Sequence, residues 1–109
     1  MQMMYFIVAC FIALDLITGI IKALKDKKFT STTMREGLLH KCALVLCVAF
    51  GVLVDYGQVY LALGVSVPIA GAICTYITLM ECGSIIENLG AINPSILPSK
   101  LKSFFEKIN

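Results

Sequence analysis

The sequence predicts an all-α integral membrane protein: three transmembrane helices, then a short amphipathic helix on the membrane surface. Three observations predict it. Hydrophobic residues make up 59% of the 109 residues and charged residues 15%, against roughly 45–50% and 25% in an ordinary globular chain. Three stretches are long and apolar enough to cross a bilayer core, which takes about 20 residues per helix. The basic residues are confined: six of the nine fall between Lys22 and Lys41, the rest are Lys100, Lys102 and Lys107, and none occurs from Cys42 to Ser99. A soluble domain of this size buries only about two-thirds of its surface, so much of the apolar material would face water. The composition also excludes a disordered chain, and a net charge of +2 is too weak to argue for a nucleic-acid partner.

The first span covers residues 3–24, with Asp15 as its only charge before Lys22. Nothing basic precedes it and no small-residue cleavage site follows, so it reads as a retained span rather than a secretory signal. A linker follows, holding Lys25, Asp26, Lys27 and Lys28 and then four consecutive hydroxyl residues, Thr30 to Thr33. Thr33-Met34-Arg35-Glu36 matches a capping box, in which a threonine and a glutamate three residues on satisfy free amides reciprocally. It predicts that the second helix starts there, with its span over 38–60. Leu63 to Pro68 reads as a break, with glycine for turn freedom and proline suited to the first turn of the next helix. The third span covers 68–86, and Asn93-Pro94 ends the regular stretch.

The tail, 95–108, differs. Leu97, Leu101, Phe104, Phe105 and Ile108 recur at helical spacing, with Lys100, Lys102 and Lys107 largely off that stripe. It is too short to span and reads as an interfacial helix. The whole chain, 1–109, forms one membrane domain. Lysine and arginine placement sets orientation. The basic connection after the first span and the basic tail face the cytoplasm, and the connection after Asp55, without a basic residue, faces outward. The N-terminus is therefore outside and the C-terminus inside.

Each span carries an acidic residue, and a carboxylate in hydrocarbon is a functional candidate by default. Asp15 lies about 18 Å from the outer end of its span and Glu81 about 20 Å beyond Pro68, at 1.5 Å per residue. Asp55 is near the outward end of the second helix, within reach of interfacial water. Lys41 enters from the cytoplasmic end at a depth that suits pairing with Asp15 or Glu81. These four are the candidates for a polar face that lines a water-filled assembly, or for groups that only hold helices together. Small residues every fourth position, Ala43, Cys47 and Gly51, then Ser66, Ala70 and Cys74, allow close helix approach, within one chain or between copies. Lys22, Lys25, Lys27, Lys28, Arg35, Lys100, Lys102 and Lys107 are placed to contact anionic lipid. The five cysteines form no C-x-x-C pair and read as small apolar packing residues. No nucleophile–base set, metal spacing or phosphate loop is visible, so no catalytic residue, cofactor or metal is expected and the chain is not read as an enzyme.

Several of these pieces together resemble one family. Asp15-Leu16-Ile17-Thr18-Gly19-Ile20-Ile21-Lys22-Ala23 resembles the end of the first span in phage lysis and toxin-secretion holins. So do Ser31, then Met34-Arg35-Glu36-Gly37-Leu38, then Lys41 opening a second span that closes with Asp55. Glu81 and Ser84-Ile85-Ile86-Glu87-Asn88 are similar to the family's Glu-x-x-Ser-Ile-x-Glu-Asn stretch, which a proline and an amphipathic tail follow, as with Pro98 and Leu101. The resemblance covers nearly the whole chain in order. It implies a protein that accumulates in the bacterial cytoplasmic membrane and then self-assembles into lesions. Through these a cell-wall-cutting endolysin, or in some relatives a toxin, escapes and the cell lyses. It implies no catalytic residues. Many holins end in a longer, more densely charged stretch than this tail, which puts tail-based timing in doubt. The expected partners are other copies of the chain, membrane lipids, an endolysin and an antiholin. Two alternatives stay open. One is an antiholin or regulatory membrane subunit with the same fold. The other is a small proton-coupled multidrug-type transporter, which would need four spans and usually carries the tryptophan that this chain lacks.

Overall fold

A computed structural model describes residues 2–62, 64, 66–95 and 107. It contains three helices, α1 (Gln2–Lys25), α2 (Ser31–Tyr60) and α3 (Ile69–Ile92). All three are long and apolar enough to cross a membrane, and no strand occurs among the described residues. The expected tail helix lies, apart from Ser95 and Lys107, outside the described residues. At 1.5 Å per residue α1 and α3 are about 36 Å long and α2 about 45 Å, against a hydrocarbon core of about 30 Å. The surplus of α2 is its first ten residues, where Arg35, Glu36 and His40 are exposed.

The ends of the helices have local causes. α1 closes with paired bonds from Lys28 N to Ala23 O (2.9 Å) and Lys27 N to Leu24 O (3.2 Å), with Lys27 left-handed at φ 57°. This is a Schellman closure with lysine where glycine is usual. α2 starts earlier than the capping box implied. Thr30 is the extended cap residue, and its hydroxyl accepts from Thr33 N at 3.1 Å. Thr33 therefore lies inside the first turn, and Glu36 is an exposed residue of the second. The boundary is set by the first hydroxyl of the run, whose backbone is extended, rather than by the last. Pro68 sits at the cap position of α3 rather than in its first turn. α3 continues to Ile92, six residues past the expected end of the span, and stops where Pro94 disfavours helical geometry at Asn93.

α3 is the middle helix. α1 and α2 both pack along it and barely touch each other. Of its buried residues, Ala70, Cys74, Ile77, Glu81 and Ile85 recur every three or four positions, which is one helical face, and Gly83 is buried beside them. α1 gives Val8 and Thr18 to the interior, and α2 gives Leu44 and Gly51, two turns apart. The apolar interior is a small cluster of Val8, Leu44, Cys74 and Ile77, flanked by Met4, Tyr5, Ile12, Val48, Ile73 and Met80. Much of the outside is apolar as well: Leu46 is 69% and Leu53 71% exposed, while Glu81 and Thr18 are buried. Such a surface suits lipid, which leaves packing and polar contacts, not water exclusion, to hold the helices.

Gly51 is where α2 comes closest to α3. A Cβ there would stand 3.0 Å from the Ala70 Cα and 3.0 Å from the Ile73 Cδ1. Gly37, on the same helix, has nothing within 4 Å of that position. Gly51→Leu should therefore force the two helices apart and destabilise the unit by about 1–3 kcal/mol. Gly37→Ala should stabilise it by up to about 1 kcal/mol through helix propensity. Reversible unfolding in mixed detergent micelles, followed by far-UV circular dichroism, measures both.

Candidate functional site

The interior polar residues converge on one place. Lys41 Nζ bonds to the Asp15 carboxylate on α1 and, at 2.8 Å, to Glu81 Oε2 on α3. One ammonium from α2 thus joins carboxylates of both other helices. The geometry follows from register. Asp15 is near the midpoint of α1, Glu81 near the midpoint of α3, and Lys41 about 15 Å from the start of α2, whose overhang brings it level with the other two.

The Glu81 side chain is 1% exposed, and those of Asp15 and Lys41 are 12% exposed. The triad is therefore sealed on its α3 side and opens slightly between α1 and α2. A groove lies there, walled by Leu16, Gly19 and Ala23 of α1 and by Thr33, Met34 and Gly37 of α2, with Asp15 and Asn88 among its lining residues.

Asn88 extends the cluster. Its Nδ2 donates to Asp15 Oδ1 and to Thr18 Oγ1, both at 3.0 Å. The Thr18 hydroxyl donates back to Leu14 O at 2.9 Å. No buried side-chain nitrogen or oxygen among the described residues lacks a partner. Sequence reasoning assigned no role to Asn88 or Thr18. The signal was spacing: Asn88 follows Glu81 by seven residues, two turns along the same face, and Thr18 follows Asp15 by three.

Asp55 does not join this cluster. Its carboxylate accepts from Ile69 N at 2.9 Å and from Ala70 N at 3.2 Å. It thus caps α3, whose own cap residue, Pro68, makes no side-chain hydrogen bond. Gln58 pins the same connection, donating to Val67 O at 2.8 Å and accepting from Val67 N at 2.6 Å. At the far end of α3, Lys25 Nζ bonds to Ala91 O at 3.0 Å and to Ile92 O at 2.6 Å. An anion at the N-terminus and a cation at the C-terminus both complement the helix dipole.

A model of the bacteriophage holin family matches residues 1–109, the whole chain. The chain belongs to that family. No curated protein and no solved structure matches it. Three membrane-length helices fit a holin, a multi-pass membrane protein of a pore-forming and not an enzymatic family. Among the described residues no cluster of histidine, cysteine, aspartate and glutamate is placed to hold a metal ion.

The small residues of this family member divide. Gly51, Ala70 and Cys74 are buried between helices, whereas Ala43 and Cys47 face outward and Ser66 precedes α3 altogether. A fourth-residue series drifts by about 40° per step around a helix of 3.6 residues per turn, so one helix contact takes only part of it. Of the basic residues, Lys27, Lys28, Arg35 and Lys107 are exposed and Lys22 is half-buried, while Lys25 is engaged on α3. Lys100 and Lys102 lie outside the described residues.

Asp55→Ala strips two amides of their acceptor and should cost about 1–2 kcal/mol of stability. Asp55→Asn, which keeps one acceptor oxygen, should cost less. The same micelle unfolding measurement, with wild-type helix content as the folded baseline, checks the order.

Proposed function

We propose that this protein is a phage holin that self-assembles in the bacterial cytoplasmic membrane into lesions through which an endolysin reaches and cuts the cell wall. The observation that carries the reading is the family match over the full chain, joined to a polar triad held inside an apolar shell. A closed unit of this kind is compatible with quiet accumulation in lipid, since its buried polar groups all have partners within the described residues. Assembly then requires copies to rearrange so that polar faces line water. Asp15, Lys41 and Glu81 are the groups with that chemistry in the spans, and Ala43 and Cys47, free on the outside of α2, offer close approach between copies.

The N-terminus lies outside and the C-terminus in the cytoplasm. Two features support this orientation. Lys25 ties the basic connection to the end of α3, so both belong to one side of the membrane. The connection held by Asp55 and Gln58 is at the other end and carries no basic residue. Lysine- and arginine-rich connections stay cytoplasmic, where Lys22, Lys27, Lys28 and Arg35 meet anionic headgroups.

The test is a lysis-timing curve. The gene is induced in bacteria with a separate cytosolic endolysin while turbidity and membrane potential are followed. The expected result is a quiet interval, then abrupt depolarisation and lysis. Steady growth with both genes expressed rejects lesion formation by this chain alone and favours an antiholin role.

A further inference from the structure

Between α1 and α2, the polar contact that joins them is Lys41 on Asp15. These helices otherwise touch little and pack mainly on α3. α2 is fixed to α3 from Leu44 outward by the apolar cluster, by the Gly51–Ala70 approach, by the Asp55 cap and by the Gln58 clamp. Lys41 lies one turn below Leu44, at the inner limit of that fixed stretch. Below it the helix overhangs: from Ser31 to His40 only Met34 and Gly37 are even half-buried. The groove between α1 and α2 begins at the same level and leads directly to Asp15.

We propose that Lys41 is a latch between α1 and α2, and that its release lets the two helices part along this groove and turn Asp15 and Glu81 toward water in the assembly. The proposal deepens the holin reading and rests on it for its consequence in lysis. The physical reason is asymmetry. The outer half of α2 is held by several independent contacts that do not involve the triad. The inner half is held by one side chain, which is also the only cation between two carboxylates. Without it, like charges on α1 and α3 face each other and oppose closure. Asn88 then keeps Asp15 attached to α3, so the seam that opens is the one between α1 and α2.

The experiment has two arms. In the first, lysis timing is recorded for the wild type, Lys41→Met, and the charge swap that combines Asp15→Lys with Lys41→Asp. The swap keeps one cation against two carboxylates across the same helices. Lys41→Met is expected to shorten the delay by about twofold or more, as a shifted closed–open population requires, and the swap to restore much of it. In the second arm, all five cysteines are replaced by alanine, and Gly19→Cys and Gly37→Cys are introduced on opposite walls of the groove. A Cβ has room at both positions. A short bismaleimide applied to isolated membranes should join them in most molecules, and Lys41→Met should lower that yield by about threefold. Yield is scored per molecule recovered, so poor accumulation does not mask it. An unchanged yield in Lys41→Met overturns the latch, as does a Lys41→Met delay no shorter than the wild type. Absence of lysis by the wild-type chain overturns the holin reading instead, and the crosslinking arm still decides the latch.

Discussion

Charge inside lipid is the constraint on which the rest of this structure depends. A carboxylate at the middle of a membrane helix finds no water there, so it must find a partner in protein. This chain places two such carboxylates, on α1 and α3, and one lysine on α2 at the right depth to reach both. The register of all three helices follows. Shifting any one by a turn, about 5.4 Å, would separate the ammonium from a carboxylate and leave a bare charge buried, which is costlier than the pair itself is favourable. The apolar core is too sparse to set the register alone: its buried side chains number four in one cluster, and lipid competes for every apolar face.

The same constraint explains why α3 is the middle helix. Its most buried face carries Glu81, and Asn88 follows two turns later, so it has polar groups to satisfy along its length. Its N-terminal amides take a carboxylate from α2, and its C-terminal carbonyls take an ammonium from α1. A helix end in or near a membrane has few other sources of partners. α1 and α2 therefore each make polar contacts with α3 both at a terminus and near the triad. Their outer surfaces, with Leu46, Phe50 and Leu53, are left to lipid.

Much of this was legible in the sequence, and the parts that were not share a cause. The spans follow from composition. The meeting of Lys41 with Asp15 and Glu81 follows from counting residues inward from the helix ends, because charges in apolar runs are few and have few partners to choose from. The Asp55 cap escapes such counting. Its targets lie 14 and 15 residues on, in the next helix, and capping rules look to the residue at the helix start. The clue was negative: a helix opening on Pro68 has no capping side chain of its own. The start of α2 was misplaced for a related reason. Thr30 to Thr33 offers several caps in a row, and only the extended backbone at Thr30 selects among them. Ala43 and Cys47 were placed on the same stripe as Gly51, but the drift of a fourth-residue series turns them outward.

The arrangement also limits what the described conformation can be. A water-filled lesion needs a polar wall, whereas every surface that α2 offers outward beyond its overhang is apolar and the charged groups point into the unit. Copies of this form packed side by side would make an apolar cluster in lipid and no channel. Passage of water therefore demands that helices part and the triad turn outward, and the work of that change falls on the contacts that hold α2 in place. Those at the outer end are independent of the triad and hold α2 against α3. The contact at the inner end is one ammonium between two carboxylates, short-ranged and all-or-none. The proposed latch would give the unit a closed state that lipid tolerates and an open state that water tolerates. An abrupt change after a long quiet interval needs that kind of two-state element.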